Sequence, residues 1–162
     1  MTDSNSTWPQ SKQQIIGLLA KYDIQPTQQR VLIAEILFTK PQHLSAEHIL
    51  ANVNRASGTV SKATVYNTLG LFAEKGLVHE VNVDPSRVFY DSNTRPHHHF
   101  FNTSTGVLSD IDPTDIEISK FPPLPEGTSM SAVDVIIRVT ENTPSQSPET
   151  SDLDSEHFEP DK

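Results

Sequence analysis

The chain has 162 residues, a formal net charge of −9, 35% hydrophobic and 20% charged residues, and no cysteine. That length suits one ordinary domain or two small ones. No apolar run approaches the roughly 20 residues of a bilayer span, and the start MTDSNSTWPQ lacks the basic-then-apolar pattern of a secretory signal. Without cysteine there are no disulfides, thiolate zinc sites or iron–sulfur clusters, and the expectation is a cytoplasmic protein with no membrane partner.

The negative charge is unevenly spread. Residues 141–162 carry a net of −6 and residues 1–83 a net of +1. The acidity is therefore a tail effect and does not veto an anionic partner for the N-terminal half.

In chain order, residues 1–10 read as a disordered N-terminus. Ser11 can cap a first helix carrying Ile15, Ile16, Leu18 and Leu19, and Thr27 a second running from Gln28 to Phe38 before Pro41. Ser45 can cap a third, with Ala46, Ile49, Leu50 and Val53 on one face. Ser61 opens a fourth that reaches about Glu74 and closes on Gly76. On this last helix Val65, Leu69, Phe72 and Ala73 share one side, with Leu71 a partial misfit on the other. Ala63, Thr64, Asn67 and Gly70 face outward with Tyr66 on the flank. An ordinary solvated face carries Glu and Lys. This uncharged one suits insertion into a DNA groove, where Asn can read an adenine edge and a ring can meet a thymine methyl.

A period-two segment follows: Leu77, His79, Val81 and Val83, the turn Asp84-Pro85-Ser86, then Val88-Phe89-Tyr90. Short helices leading into a hairpin are the winged-helix arrangement over residues 11–92, with helix 61–74 in the major groove. Residues 93–140 form a second block: a strand at Phe100-Phe101, a turn at Ser104-Thr105-Gly106, and a return from Val107 to Ile111. A helix start follows at Asp112-Pro113-Thr114-Asp115, then a rigid loop at Phe121–Gly127 and a half-buried strand with Val133, Val135, Ile137 and Val139 on one side. So small a block forms too little core to stand alone, and a second copy of the chain is the expected cover. Residues 141–162, rich in Pro, Ser and acids, read as a disordered tail.

The histidines hold the chemistry. In an extended chain His97 and His99 point to one side and His98 to the other. Two imidazoles on one side are half of a divalent-metal site. Asp91 and Asp110 can add oxygen, and His43 is the remote nitrogen ligand in the loop before the third helix. No HExxH motif, glycine-rich loop or general base beside the cluster supports a hydrolase, so an enzyme is not expected. A plain winged-helix repressor with uninvolved histidines remains the bland alternative.

The segments Thr27-x-x-Arg30, Leu44-Ser45-Ala46-Glu47, Ala63-Thr64-Val65-Tyr66, Gly76-Leu77-Val78 and His97-His98-His99 resemble the ferric uptake regulator (Fur) family over about residues 12–140. Within it, Thr64–Asn67, Phe89-Tyr90-Asp91, His97–Phe101, Leu124–Gly127 and Val133–Val135 look most like the iron response regulator (Irr) branch. The resemblance implies an α+β fold: an N-terminal winged-helix DNA-binding domain and a small α/β dimerisation domain. It also implies a homodimer that binds double-stranded DNA.

The DNA-binding set it implies is Thr27, Arg30, Ser61, Lys62, Thr64, Tyr66 and Asn67. The metal set is His43, Asp91, His97, His99 and Asp110, with Tyr90 an alternative to Asp91 by a one-residue offset. The cofactor is haem or a divalent metal (iron, manganese or zinc), with His97, His98 and His99 as the haem-binding set. The Irr likeness adds a haem-synthesis or haem-delivery protein as partner. Departures matter too: Asn102–Thr105 replaces the CxxC pair of a structural zinc site, Gln25 stands at a minor-groove lysine, and Asn67 stands at a usual arginine. Pro96 and His98 interrupt a second metal site, of which Glu117 is the remnant. The expected function is a transcriptional regulator of iron or haem homeostasis; the alternative is a metal-dependent Fur-type repressor without haem sensing.

Overall fold

Each of the four helices starts on the hydroxyl residue that the sequence offers for it. In the computed structural model, which describes residues 8–9, 11–58 and 60–142, α1 spans Lys12–Lys21 behind Ser11 and α2 spans Gln28–Leu37 behind Thr27. α3 spans Ala46–Ser57 behind Ser45, and α4 spans Lys62–Glu74 behind Ser61. Every one of these hydroxyls accepts a hydrogen bond from the backbone N–H three residues on, satisfying a donor the helix cannot. Gly76 follows α4 with φ +75°, the left-handed conformation that ends the helix and turns the chain into the hairpin.

Two three-stranded sheets complete the architecture. β1 (His43–Ser45), β2 (His79–Asp84) and β3 (Arg87–Asp91) are ordered β1-β3-β2, both pairs antiparallel. β4 (His98–Asn102), β5 (Leu108–Ile111) and β6 (Ile136–Val139) are ordered β5-β4-β6, with β6 parallel to β4.

The main core lies among the helices, where Leu19, Ile33, Leu37, Ile49, Val53, Val65, Leu69 and Phe72 are fully buried. A second, smaller core joins the hairpin to the second sheet: Val81, Val83 and Phe89 pack with Phe101 and Leu108, and Ile136 leans on them. Arg138 Nη2 also donates to the Val83 carbonyl. The hairpin is thus held by the second sheet as well as by the helices.

Three local expectations need correction. The residues before the third helix are not a loop: His43–Ser45 is a strand that pairs with β3, placing His43 opposite Asp91. The helix start at Asp112 is capped as expected, with its carboxylate accepting from Thr114 N, but yields one 3-10 turn over Pro113–Asp115, and Ile116 is already extended. A short helix needs an apolar face to pack against something, and Ile116 is only half-buried while Ile118 is exposed.

The last strand also buries the other face. Ile136 packs inward whereas Ile137 and Val139 are exposed. Leu71, the outward misfit on α4, is half-buried against the main core.

Of the two chain ends, residues 1–7, 10 and 143–162 lie outside the described residues. Trp8 is half-buried and stacks on Phe38 with ring centroids 6.3 Å apart.

Candidate metal centre and helix face

His43, Asp91, His97, His99 and Asp110 come from four strands and one connecting segment, yet their ligand atoms all lie within 4.8 Å of one another. Strand pairing explains the convergence. His43 is opposite Asp91 across β1–β3, and His99 is opposite Asp110 across β4–β5. His97, just before β4, shares the side of His99 through the alternation of an extended chain. The cluster thereby spans the junction between the two sheets.

Asp91 is the hub and is fully buried. Its Oδ2 lies 3.1 Å from His43 Nε2, 2.9 Å from His97 Nε2 and 3.2 Å from His99 Nε2. Its Oδ1 accepts the backbone N–H of Asn93 at 2.8 Å. Asp110 closes the other side, with Oδ1 at 2.7 Å from His43 Nε2 and 3.3 Å from His97 Nε2. Burial alone would raise the Asp91 carboxyl pKa, but the contacts of His43 and His99 and the Asn93 N–H outweigh it and hold the group well below the usual carboxylate range. Burial likewise pulls His43 down, and Asp91 and Asp110 together push it above its ordinary value.

Two details test whether these residues fit a cation. His97 Nδ1 is 2.6 Å from the Arg95 carbonyl. A carbonyl can only accept, so Nδ1 carries the proton, and in neutral His97 Nε2 is a bare lone pair aimed at a carboxylate. Such a pair repels unless a proton or a metal ion lies between. His43 Nε2 is buried and close to both carboxylates, yet no hydrogen bond closes on it. Opposite ligands on one first-row ion are about 4.2 Å apart, a spacing the 4.8 Å cluster nearly meets. Three imidazoles and two carboxylates suit manganese, iron or zinc, and the residues fit such an ion.

His98, expected to share in the histidine site, points away: its Nδ1 accepts from Val135 N at 3.3 Å. Tyr90, the alternative to Asp91, is buried in the main core.

The proposed DNA-facing residues fall in two places. Ser61, Lys62, Thr64, Tyr66 and Asn67 lie on the N-terminal half of α4. There Ser61 Oγ caps Thr64 N, and the Lys62 ammonium stands 5.5 Å from the Tyr66 ring centroid. Tyr66 is 37% exposed and Asn67 is exposed, while Val65 and Leu69 are buried, the two-sided helix the wheel describes. Thr27 and Arg30 belong to α2: Thr27 caps it, and Arg30 Nη1 donates to the Gln25 carbonyl at 3.1 Å.

Two features had no mark in the sequence. Tyr66 donates a short hydrogen bond to Glu47 on α3. Gln42 and Ser92, neighbours of two cluster residues, bond across fifty positions. Gln42 and Ser92 could have drawn attention only by adjacency to His43 and Asp91, and Glu47 only as part of the segment Leu44–Glu47.

Residues 21–139 match the ferric uptake regulator family. Over 96 residues the chain is 30% identical to the peroxide-responsive repressor PerR of Staphylococcus epidermidis, an overlap of 59% of this chain and 64% of that protein. It therefore spans a little under two thirds of that relative. Among solved structures it is similar to the ferric uptake regulator from Pseudomonas aeruginosa with manganese, at a TM-score of 0.61 and 24% identity, covering 78% of this chain and 97% of the other. The ferric uptake regulator from Francisella tularensis with iron gives 0.60 and 21%, covering 72% and 91%. At these identities the structural likeness establishes the fold alone.

The class so defined is a mixed α+β protein with a helical N-terminal part and a small α/β part. Within that class, the chain belongs to the ferric uptake regulator family.

Proposed function

We propose that this protein is a DNA-binding transcriptional regulator, active as a homodimer, whose affinity for its operator is set by a divalent metal ion. His43, Asp91, His97, His99 and Asp110 would hold the ion. The observation that carries this reading is the convergence of their five donor atoms across two sheets. The ion would supply positive charge to a place where two carboxylates and a lone pair otherwise face one another.

The sign follows from where the ligands are anchored. His43 and Asp91 belong to the sheet that α3 packs against, with α4 beside α3, and His99 and Asp110 to the second sheet. Drawing these four together restricts the angle between the DNA-reading helices and the second sheet. A restricted molecule loses less freedom on docking, so metal loading favours DNA binding. Dimerisation is supported by the outer face of the second sheet, where Phe100, Val107, Ile137 and Val139 are 37–58% exposed. In a two-fold dimer, two copies of α4 would meet half-sites about one helical turn, or a multiple of it, apart.

Between the ligands that the resemblance implies, this donor set supports the ion over haem. A haem iron needs a free axial approach, while the His97 and His99 side chains are only 7% and 8% exposed and directed inward at Asp91. His98 does not join them. The Irr assignment and its haem-linked partner therefore rest on sequence likeness alone. The name of the S. epidermidis relative adds peroxide as an input to try.

The test is a selection from random duplexes with full-length protein loaded with manganese, ferrous iron or zinc, and with chelator-treated protein. Tight, selective binding in a loaded form that His99→Ala removes is the expected result. Equal affinity in every state overturns the sensor, and peroxide release of the iron form but not the manganese form would extend it.

A further inference from the structure

Tyr66 is the largest side chain on the outward part of α4, and its one polar atom is not free. The hydroxyl donates to Glu47 Oε1, and Glu47 lies in the first turn of α3. The other side of the ring faces the Lys62 ammonium, 5.5 Å from the centroid. The tyrosine is therefore held from two helices, by a carboxylate on α3 and by a cation–π contact on α4.

The chemistry of the pair is consistent with a standing tether. Its hydrogen bond from Tyr66 keeps the Glu47 carboxyl below its ordinary pKa, and Glu47 in turn raises the Tyr66 phenol above its own. The pair is therefore a neutral donor on an ionised acceptor, the stronger type of hydrogen bond.

Resting on the DNA-binding reading above, we propose that Glu47 is a positioning residue for sequence discrimination, engaging the Tyr66 hydroxyl so that the ring alone meets the bases while its own charge opposes indiscriminate contact with phosphate. Two consequences follow. With its hydroxyl held, Tyr66 reads through its apolar edge, which matches the thymine methyl and no other base edge in the major groove. A carboxylate beside the docking face weakens binding to every duplex to a similar degree, so only a sequence that rewards the ordered ring recovers the loss. Glu47 and Lys62 also attract one another, and this keeps the lysine over the ring rather than extended to a phosphate.

The experiment uses full-length, manganese-loaded protein and two duplexes of equal length, one recovered by selection from a random pool and one scrambled. The quantity read is the ratio of the two affinities. Glu47→Ala, Tyr66→Phe and the double variant should each lower that ratio by about three- to tenfold, with the double no worse than either single. Non-additivity of this kind is the signature of two residues acting as one unit. Glu47→Gln keeps an acceptor for the hydroxyl without the charge. It should preserve the ratio while tightening binding to both duplexes, a rescue that a merely structural role for Glu47 would not give.

A Glu47→Ala protein with the wild-type ratio overturns the proposal alone, as do single effects that multiply in the double variant. Should Glu47→Ala fail to fold, Glu47→Gln against Tyr66→Phe gives the same comparison, and equal ratios there overturn it. Wild-type protein that selects no duplex overturns the DNA-binding reading together with this one.

Discussion

Gln42 and Ser92, fifty residues apart in sequence, are joined by hydrogen bonds in both directions. Gln42 N donates to Ser92 Oγ at 3.3 Å, and Ser92 N donates to the Gln42 carbonyl at 3.4 Å. Each is the immediate neighbour of a cluster residue, His43 or Asp91. Gln42 Nε2 reaches further and donates to the carbonyls of Ile36 at 2.6 Å and Leu37 at 3.2 Å, satisfying the C-terminal end of α2. The candidate metal centre is thereby tied to the helices.

Ser92→Ala removes the Oγ half of this link at a buried position and leaves the backbone bond. Loss of the hydroxyl should cost about 1–2 kcal/mol, or about 2–8 °C in Tm. Because the strand ends that carry His43 and Asp91 are then held less firmly, manganese affinity should fall, by up to about tenfold. Thermal denaturation and a metal titration on the same protein measure both. A lower Tm with undiminished metal affinity would mean that the link supports the fold only.

Metal loading should stabilise the wild type in proportion to occupancy. At one hundred times the dissociation constant the gain is about 2.7 kcal/mol, an upward shift of about 5–10 °C that a chelator reverses. His99→Ala and Asp91→Asn should abolish the shift, since the first removes a donor held from β4 and the second removes the charge that all three imidazoles face. Retention of the full shift in both variants would place the ion elsewhere.

Without metal, stability should depend on pH with a definite sign. His43 is pulled down by burial but raised overall by Asp91 and Asp110. Its contribution is fully present below about pH 6.5, the unfolded value, and is lost as pH rises through the folded one. Asp91 is held low, so its contribution is present above about pH 3.9 and is lost only as pH falls towards its folded value. Chelator-treated protein should therefore melt lower at about pH 8 than at about pH 6, and His43→Gln should flatten that difference. Metal affinity runs the other way, rising with pH as the imidazoles lose protons. A Tm that climbs between the two pH values contradicts the assignment.

The exposed outer face of the second sheet offers a separate test. Ile137 and Val139 belong to neither buried cluster, so with Ile137→Asp or Val139→Asp the monomer should keep its fold. A charge within an apolar interface is costly, and sedimentation should show a monomer where the wild type sediments as a dimer. DNA affinity should fall with it, because two linked reading helices bind far more tightly than one. A wild type that sediments as a monomer removes the dimer from the proposed function.

How much of this was legible in the sequence varies with the range of the interaction. Helix boundaries depend on residues three or four apart, so Ser11, Thr27, Ser45 and Ser61 announced them, and Gly76 announced the end of α4. The cluster histidines were visible because His97 and His99 are two apart and an extended chain puts them on one side. Strand β1 was invisible: its three residues have no periodicity, and it exists only because β3 returns beside it. Glu47, Gln42 and Ser92 escaped for the same reason, since each acquires its role from a partner brought close by the fold. The helix expected after Asp112 failed in the opposite way. Its local start signal is sound, but nothing in one chain covers the apolar side that would sustain it.

The small core between hairpin and second sheet gives the last prediction. Phe101 from β4 meets Phe89 from β3 edge to face, with centroids 6.3 Å apart, and the Arg87 guanidinium lies 5.9 Å from the Phe101 ring. Phe101→Ala should cost about 3 kcal/mol, the lower end for a buried phenylalanine, because the core around it is small and few contacts are lost. The consequence for function differs from that for stability. All five cluster residues remain, so manganese still binds, but the hairpin is no longer wedged against the sheet that carries His99 and Asp110. Metal loading should then raise Tm as in the wild type while its effect on DNA affinity shrinks, a separation of binding from response. If metal in Phe101→Ala tightens DNA binding by the full wild-type factor, the strands of the cluster transmit the signal unaided, and the hairpin core serves stability alone.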